Sequence, residues 1–520
     1  MKLRAKALWV LMGDGGAKLF GLLATLILAR AYGVESYGEI TYALSILGVA
    51  GLFTDLGLHT LGTRNSAIRV SRTAEVEGND EDDNEDDHKD NDEDAVKSGA
   101  HPEPHYPASL FWLRILLALS VLAIFSLIIW GTLASQPQLR ALTLLFLLSV
   151  VPQSLQTEWH FRGTQRFRWY SLSRWIQSLT YLVGLLLLVQ TQNILLVPVL
   201  FSISILCAVL FQWAGYKPLR ELFQRPKTDA WKPLLRSGLY LTAGSFLFQT
   251  VILLPPILME TRFSLYQLGL FGAMFKLILA AMIADRVFTT LLLPNLTVLH
   301  QQRGANLSQE IRPIVVWMLF FGLMGSLLLT TLASGLTEFL FGDQYLEGAT
   351  GLPLLSLFLP ITFVNSIFLF GLISAGQDRS YLQAGLWGGT SAVLLIIAGT
   401  LSGSYWIFLI SIPLAEAAIT YAVYRAYRQT VPSIVPRRTW KLIVAYALAT
   451  GVGLAMTGGS GLNVVSNVPE AFSWSGGPSG SSPAFQVVIA TLTLLLFFAG
   501  ARIAGGITRH DLQWLKRRLQ

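Results

Sequence analysis

Charge, cysteine and enzyme signatures are all scarce in this sequence of 520 residues. Only 13% of the residues are charged and 53% are hydrophobic, whereas a soluble domain carries roughly 25% charge. The single cysteine, Cys207, excludes an internal disulfide framework and a cysteine-rich metal site, and we expect it to be a small buried hydrophobic residue. The composition is therefore that of a membrane protein.

Signatures of catalysis are also missing. The sequence contains no phosphate-binding P-loop, no HExxH motif and no nucleophile elbow. No stretch between apolar segments is long enough for a soluble catalytic or nucleotide-binding domain, which argues against an ATP-driven pump. We expect no enzyme activity, no cofactor and no metal site.

The net charge of +7 conceals a strongly acidic run, EVEGNDEDDNEDDHKDNDED. Thirteen of the 31 acidic residues lie between Glu75 and Asp94, which leaves 18 in the rest of a chain with 38 Lys and Arg residues. The run has no hydrophobic periodicity, and the Gly position and spacing of an EF-hand loop are absent. We therefore expect a disordered, solvated insertion over 73–107. The basic excess elsewhere is typical of cytoplasmic loops rather than of nucleic-acid binding.

The apolar segments predict an all-α polytopic membrane protein. About 20 apolar residues are needed to span the hydrocarbon core, and we count fourteen such segments. The first is expected to be an uncleaved helix and the eighth to be tilted or broken. The predicted spans are 8–30, 38–62, 109–132, 139–160, 170–190, 193–215, 236–259, 265–297, 313–334, 352–374, 381–400, 404–426, 440–458 and 484–505.

Lys and Arg residues predict the orientation of these spans. With a cytoplasmic N-terminus, the odd-numbered loops carry few basic residues, chiefly Arg30, Arg140 and Arg262 at helix ends. The even-numbered loops and the tail are basic: Arg64, Arg69, Arg72, Arg162, Arg166, Arg168, Lys217, Arg220, Arg225, Lys227, Lys232, Arg303, Arg312, Arg379, Arg428, Arg437, Arg438, Arg509, Lys516, Arg517 and Arg518. One missed span would invert this asymmetry, so it supports fourteen spans and two cytoplasmic termini.

Two similar segments hint at an internal duplication. FRGTQRFRWY after the fourth span and ISAGQDRSYL after the tenth share a small-residue turn, Gln, Arg and an aromatic residue. Both segments are predicted on the cytoplasmic side of the membrane, so the two halves would be a parallel repeat related by an axis along the membrane normal. We expect an N-terminal six-helix lobe over 1–215, a cytoplasmic linker over 216–235 and a C-terminal six-helix lobe over 236–428. Residues 429–520 would form two appended helices and a basic tail.

The first predicted span contains a charge pair in MGDGGAKLFG. An ionised side chain at the bilayer centre costs at least ~2.5–3.5 kcal/mol, so such residues usually face a bundle interior or an aqueous cavity. Asp14 and Lys18 lie four residues apart on one helix face. Two interpretations remain open: a self-paired salt bridge in a packed helix, or a cationic cavity wall in which Lys18 contacts an anion. The four glycines permit close packing or a bend.

Other charges at membrane depth lie in later spans. Lys276 and Arg286 bring two bases to the eighth span, ten residues apart, and are candidates for lining one cavity. Asp14, Asp55, Asp285 and Glu416 are candidates for coupling or structural roles. Glu416 follows Pro413, where a kink frees backbone groups, and a proton or sodium coupling role is one interpretation. Arg114 and Glu158, near predicted span ends, are expected to snorkel, and His59 to be satisfied structurally.

Four segments resemble a known family. They are ILARAYGVESYGEITYALSILGVAGLFTDLGL, LGLFGAMFKLILA followed by LLLPNLTVL, FLFGDQYLEGATGLPLLSLFLPI, and LISAGQDRSYLQAG. Their order, spacing and fourteen-helix setting resemble the lipid-linked oligosaccharide flippases of polysaccharide biosynthesis, in the multidrug/oligosaccharidyl-lipid/polysaccharide (MOP) exporter superfamily. The resemblance covers about residues 10–425.

The resemblance implies two six-helix lobes around a central cavity, plus two C-terminal helices, working by alternating access. It implies an undecaprenyl-pyrophosphate-linked oligosaccharide as substrate, carried across the inner membrane for cell-surface polysaccharide, with membrane lipids and polymerase machinery as partners. Lys18, Lys276 and Arg286 would bind the pyrophosphate. Related peptidoglycan-precursor flippases place a basic residue at the helix-1 position of Lys18 and carry a second base further along that helix. Here residues 22–25 read LLAT, which argues against a peptidoglycan role.

Three alternatives stay open. A cation-coupled multidrug exporter of the same superfamily predicts an acidic cavity, against which the Lys and Arg excess argues. A membrane glycan polymerase or ligase predicts a large external loop with clustered polar residues. The longest candidate, Gly458–Pro483, is rich in Gly and Ser and lacks Lys, Arg, His and Asp. A non-transporting scaffold would tolerate replacement of the charges at membrane depth.

Overall fold

The protein is all-helical in the part of the chain that its structure, a computed structural model, describes. That part comprises residues 3–79, 106–217, 219–285, 307–432, 434–456, 483–508, 511 and 513; for 3–8, 10, 11, 71–79, 240–248, 378 and 483–485 it covers the backbone alone. No β-strand occurs within these ranges, and the predicted all-α fold is confirmed. Most of the predicted acidic insertion, residues 80–105, lies outside the described residues.

Twenty α-helices follow one another through these described ranges. They are α1 (Leu3–Asp55), α2 (Leu58–Asn79), α3 (Tyr106–Thr132), α4 (Pro137–Leu148), α5 (Val150–Ser154), α6 (Glu158–Gly163), α7 (Phe167–Leu188), α8 (Leu196–Gly215), α9 (Leu219–Leu222), α10 (Trp231–Met259), α11 (Leu265–Ala281), α12 (Leu307–Thr331), α13 (Ala333–Phe341), α14 (Leu346–Ala349), α15 (Leu352–Ser356), α16 (Phe358–Ser374), α17 (Asp378–Leu401), α18 (Tyr405–Arg428), α19 (Thr439–Met456) and α20 (Pro483–Ile503).

Eleven of the described helical segments are long and apolar enough to cross a membrane. They differ from the fourteen predicted spans at three places. The first two predicted spans form one segment, Met12–Asp55, and the fourth is broken into short helices. The seventh corresponds to α10, of which Gln249–Met259 qualifies as a shorter apolar helix. The eighth is described as far as Asp285, and its remaining residues lie outside the described part.

Helix α1 is interrupted at one residue, Gly33, whose φ of 80° and ψ of 175° are not helical. Glycine tolerates a positive φ because it has no Cβ. The helix then ends at Asp55, so the predicted span 38–62 is wrong beyond that residue. Leu56 and Gly57 both have positive φ, and the Asp55 carboxylate accepts the main-chain N–H of His59 at 3.1 Å in the first turn of α2. A local side-chain bond thus ends one helix and begins the next.

The predicted span 139–160 is wrong as a single helix, and Arg114 explains how the break is tolerated. Arg114 of α3 is 8% exposed, and its guanidinium donates to the carbonyl of Gln156 at 2.7 Å and to that of Gln153 at 3.4 Å. On the other side of the break, Gln212 of α8 accepts the Thr157 N–H at 2.7 Å. Arg114 therefore satisfies backbone carbonyls inside the protein, and its predicted snorkelling is wrong.

Glu158 is also buried rather than snorkelling. It is 7% exposed and lies 3.7 Å from the Arg174 guanidinium of α7. The predicted snorkelling of Glu158 is wrong as well, because an ion pair within the protein replaces the water that a snorkelling carboxylate would reach.

The chain divides into two compact units. Unit 1 comprises residues 1–32 and 43–243, and unit 2 comprises residues 33–42 and 244–520. The chain passes between them inside α1 and inside α10, so the units do not follow strict sequence order. The predicted lobe and linker boundaries stay a prediction.

In unit 1, three basic segments meet at one end. Arg69 after the second predicted span pairs with Glu221 at 3.0 Å. Arg166 donates to the carbonyl of Gly215 at 2.9 Å, which joins the segment before α7 to the end of α8. These contacts place the predicted even-numbered loops 2, 4 and 6 together, as alternating spans require.

Unit 2 shows the complementary grouping of its odd-numbered loops. Tyr266 donates to Glu347 at 3.0 Å, and the Phe263 ring lies 6.2 Å from that of Tyr405. Predicted loops 7, 9 and 11 therefore share one end. Arg438 pairs with the fully buried Asp511 at 2.6 Å, which joins predicted loop 12 to the C-terminal segment.

The two similar segments form turns of the same geometry. Residues 160–166 and 371–377 each end a helix in a Schellman motif, with φ of 54° at Gln165 and 67° at Gly376. The main-chain bonds run from Thr164, Gln165 and Arg166 to His160, Arg162 and Phe161, and from Ala375, Gly376 and Gln377 to Gly371, Ile373 and Leu372. Gln165 thus corresponds to Gly376 rather than to Gln377, a shift of one residue from the motif comparison.

Two of the four glycines near the N-terminus allow α1 to pack closely on α7. A Cβ on Gly13 would lie 2.5 Å from Ser171 Oγ, and one on Gly16 would lie 2.6 Å from Trp175 Nε1. The same two α7 side chains donate to α1 carbonyls: Ser171 to Trp9 at 2.6 Å and Trp175 to Met12 at 2.9 Å. The predicted close packing is confirmed for these two glycines. Gly15 and Gly21 face open space.

We predict that Gly16→Leu lowers the apparent melting temperature of the detergent-solubilised protein, whereas Gly15→Leu changes it little. Overpacking costs roughly 1–3 kcal/mol, while an exposed substitution stays within about 0.5 kcal/mol. Both variants replace a glycine of the same helix turn, so helix propensity is matched. Equal melting temperatures for the two variants would show that α1 does not pack on α7 through Gly16.

We further predict that Arg114→Met destabilises the protein more than Arg140→Met. Leaving buried carbonyls without donors costs roughly 1–3 kcal/mol. Arg140 instead stacks 4.4 Å over the Trp130 ring, an interaction worth roughly 0.5–1 kcal/mol at an exposed site. Thermal unfolding followed by size-exclusion chromatography measures both. A wild-type melting temperature for Arg114→Met would contradict this account of the helix break.

Candidate functional site

Two buried carboxylates in unit 2 accept hydrogen bonds from one face of α16. Thr362 and Asn365 donate to Glu416 Oε1 at 3.0 and 3.1 Å, and Ser366 donates to Asp285 Oδ2 at 2.8 Å. Positions 362, 365 and 366 follow the spacing that places side chains on the same side of a helix. Sequence reasoning named both acids but missed these three donors. We call the five residues the carboxylate cluster.

The carboxylate cluster is closed to solvent. Asp285 is 6% exposed, Glu416 is 5% exposed and Asn365 is 7% exposed. The Asn365 Oδ1 atom is buried, and no donor among the described residues reaches it. Thr362, Asn365 and Ser366 donate from neutral hydroxyl and amide groups. Because two ionised carboxylates are costly in such an environment, the cluster is suited to hold a proton or a small cation.

The predicted bases of the eighth span do not both fall in the described part of the chain. Lys276 is partly exposed on α11, between the buried Phe275 and Leu277. It precedes Asp285 by nine residues, and α11 ends between them at Ala281. Arg286 lies outside the described residues. The structure thus brings Asp285 and Glu416 together at α16, whereas the cavity role of Lys276 stays a prediction.

In unit 1, Asp14 has a partner that the sequence did not indicate. The hydroxyl of Tyr170 donates to Asp14 Oδ1 at 2.6 Å, and Arg162 donates to the same hydroxyl while stacking 4.5 Å from its ring. Tyr170 is 1% exposed. Lys18 is partly exposed one helical turn further along α1. The motif FRGTQRFRWY contained both partners, but their contact with α1 needed the fold.

Asp55 has a structural contact in this arrangement. Its carboxylate accepts the His59 N–H where α1 gives way to α2, as described above. Coupling by Asp55 stays a prediction, as do the cavity roles of Lys18 and Lys276. Among the described residues, no group of three or more His, Cys, Asp or Glu side chains is placed to hold a metal ion.

Three of the segments that carried the family resemblance pack together within unit 2. A Cβ on Gly38 would overlap the Leu265 carbonyl, and one on Gly269 would overlap the Val34 carbonyl. Tyr37 also lies edge-on to the Tyr345 ring, with centroids 6.2 Å apart. Residues 33–42 of the first motif therefore meet the motifs around 268–280 and 339–361 in one close contact, which explains the glycines at 38 and 269.

A family model described as polysaccharide biosynthesis protein matches residues 3–300. Among solved structures, the chain is similar to the lipid II flippase MurJ in its inward closed conformation, with a TM-score of 0.63 and 14% identity over 94% of this chain and 98% of that chain. It is also similar to an inward-facing multidrug resistance MATE family transporter of the MOP superfamily, with a TM-score of 0.60 and 12% identity over 80% of this chain and 96% of that chain.

A third similar structure is a MOP superfamily transporter from Pyrococcus furiosus, whose binding pocket has reverse polarity. Its TM-score is 0.53 at 12% identity, over 82% of this chain and 94% of that chain. No curated protein shows significant sequence similarity to the chain. At these identities the solved structures establish a shared fold, that of multi-pass MOP transporters, and the eleven apolar helices agree with it.

Proposed function

Since the chain belongs to the polysaccharide biosynthesis protein family and is a multi-pass membrane protein with the MOP transporter fold, we propose that it is a flippase for a lipid-linked oligosaccharide. The family match over residues 3–300 is the observation that carries the proposal. The substrate would be an undecaprenyl-pyrophosphate-linked repeat unit for cell-surface polysaccharide. Its transport by alternating access would deliver it to polymerase machinery on the far side.

The physical need for such a protein lies in the polar headgroup. A sugar chain and a diphosphate lose their hydrogen bonds to water in hydrocarbon, at a cost of several kcal/mol for each unsatisfied group. Basic side chains at membrane depth replace part of that interaction. We assign this role to Lys18 of unit 1 and to Lys276 and Arg286, while the lipid tail stays in the bilayer.

The proposed location is the cytoplasmic membrane, with both termini on the cytoplasmic side. The grouping of basic loops 2, 4 and 6 at one end of unit 1 supports this orientation. Arg438, bonded to Asp511, supports the same side for loop 12 and the C-terminal segment.

A cation-coupled multidrug exporter is the second candidate function. The buried carboxylates of the carboxylate cluster favour it, since an acidic site suits a cationic substrate. The bases Lys18 and Lys276 favour the flippase, because they suit an anionic headgroup. Dye efflux and surface glycan, measured in the same cells, distinguish the two candidates.

We predict that the wild-type chain restores surface polysaccharide to a host that lacks its own flippase. Lys18→Ala, Lys276→Ala and Arg286→Ala should each reduce it at least about tenfold at matched expression, the loss expected for one charged contact to the diphosphate. Arg262→Ala, which removes an exposed base at a helix end, is the control and should restore it fully. Full activity in all three cavity variants would refute the site assignment. Dye efflux without glycan export would favour the multidrug exporter.

We also propose that the carboxylate cluster couples transport to a proton or sodium gradient. In proteoliposomes, an imposed gradient should accelerate flipping by the wild type but not by Asp285→Asn or Glu416→Gln. Both variants keep the hydrogen-bonding shape of the side chain and remove its charge. Glu338→Gln, at an exposed acid of α13, should respond like the wild type.

A second readout for this cluster is labelling by a hydrophobic carbodiimide, which reacts with a protonated carboxyl group in an apolar site. Labelling should fall in the double variant Asp285→Asn/Glu416→Gln, and sodium should protect the wild type if sodium is the coupling ion. A gradient response that survives in both single variants would contradict the coupling role without touching the substrate proposal.

A further inference from the structure

Unit 1 contains a cavity of about 540 Å³ beside the first turn of α7. Arg166 and Arg168 line it, together with Phe167, Trp169, Leu172 and Phe211. Two arginine residues therefore contribute to a wall that is otherwise largely aromatic and aliphatic. Basic residues beside an apolar wall match the chemistry of a lipid headgroup joined to an acyl chain.

Both arginines are held in place by the protein. Arg166 donates to the carbonyl of Gly215 at 2.9 Å, and its guanidinium carbon lies 5.6 Å from the Trp169 ring. Arg168 is exposed, and its guanidinium carbon lies 5.4 Å from the Trp9 ring. Side chains fixed in this way lose less conformational entropy when they bind an anion.

The cavity lies where a membrane span begins. Phe167 opens the candidate span Phe167–Thr191, and Phe211 lies one turn before the end of the candidate span Leu196–Gly215. Aromatic and basic residues concentrate at this level, which is that of the lipid headgroups. Leu172 is 37% exposed and lies more than one turn further into the α7 span. The arginines thus lie at the level of the lipid headgroups, and Leu172 lies towards the hydrocarbon.

The surrounding electrostatics are positive. Burial, followed by the charges of Arg166 and Arg69, lowers the pKa of His160 in α6 to about 4. Glu221 pairs with Arg69 at 3.0 Å. The charges that border the cavity itself are those of Arg166 and Arg168.

We propose that this cavity binds an anionic phospholipid of the cytoplasmic leaflet, with its phosphate between Arg166 and Arg168 and its acyl chain against Leu172 and Phe211. The apolar wall favours a lipid over a soluble phosphate. Bound lipid would connect α7 to α1, because Arg168 contacts Trp9 of α1. Tyr170, two residues after Arg168, bonds Asp14 of the same helix. The lipid would therefore stabilise the position of the N-terminal part of α1, whichever substrate the protein carries.

Native mass spectrometry of the full chain tests this proposal with phosphatidylglycerol and phosphatidylcholine as probes. The wild type should retain phosphatidylglycerol preferentially. Arg168→Gln, at an exposed residue, should weaken that retention by about fivefold, the factor for one basic residue at an anionic surface. Arg166→Gln/Arg168→Gln should abolish the preference. Arg140→Gln removes another arginine stacked on a tryptophan, that of Trp130, and should bind as the wild type does.

Two further arms identify the ligand. Leu172→Ser should weaken retention of phosphatidylglycerol, because a polar group in the apolar wall disfavours the acyl chain. Glycerophosphoglycerol, the deacylated phosphodiester, carries the same single charge without the acyl chains and should not displace the lipid. Displacement by glycerophosphoglycerol would show a soluble-anion site and overturn the proposal. Wild-type retention in the double arginine variant, or equal retention of phosphatidylcholine, would overturn it as well.

Discussion

A membrane offers no hydrogen bonds to a polypeptide, and this constraint shapes two interruptions of the described helices. At the break between α4 and α6, Arg114 from α3 and Gln212 from α8 supply the bonds that the backbone loses. At the end of α1, Asp55 supplies the acceptor that begins α2. Irregular backbone is tolerated at these depths where neighbouring side chains satisfy it. Polar residues at span level in this sequence are therefore often structural, and function has to be assigned residue by residue.

The same constraint separates the acids of the two units. Asp14 accepts a hydrogen bond from the Tyr170 hydroxyl, and Arg162 donates to the same hydroxyl. One side chain therefore separates the Asp14 carboxylate from a base. Asp285 and Glu416 instead accept from the neutral donors of α16. Two carboxylates buried close together favour the uptake of positive charge, because burial and like charge both disfavour the doubly ionised pair. This cost is the physical basis of the coupling proposal for Asp285 and Glu416.

Hydropathy and the distribution of Lys and Arg predict most of the fold, because both report directly on the transfer of side chains between water and lipid. The resemblance was equally informative, since three of its motifs form one contact around Gly38 and Gly269. What the sequence concealed depends on distant partners. Hydropathy reads 139–160 as one helix because the donor that stabilises its break, Arg114, lies on α3. Hydropathy also cannot show that helical residues lie on both sides of Gly33, so that one non-helical residue is the whole connection between the first two predicted spans.

The candidate site was predicted to a similar extent. Charges at membrane depth identified Asp285 and Glu416, because such charges are rare in apolar segments. Their partners Thr362, Asn365 and Ser366 are ordinary residues of an apolar helix, and only the spacing on one face of α16 relates them. The turns at 160–166 and 371–377 carry a similar lesson. Residue identity aligns Gln165 with Gln377, whereas the positive φ aligns Gln165 with Gly376. The two turns share a backbone geometry although different residue types adopt the positive φ.

The crossing of Gly38 with α11 also has a consequence for biosynthesis. Its two sides are some 230 residues apart in the chain, and at ~5–20 residues per second the second side emerges roughly 10–50 s after the first. During that interval the groove left by the missing side chain of Gly38 has no partner to fill it. The same absence of side-chain bulk that lets two backbones meet would also accept other helices. Correct assembly therefore depends on what shields this groove until α11 is made, whether lipid, the insertion machinery or the early helices of the chain itself.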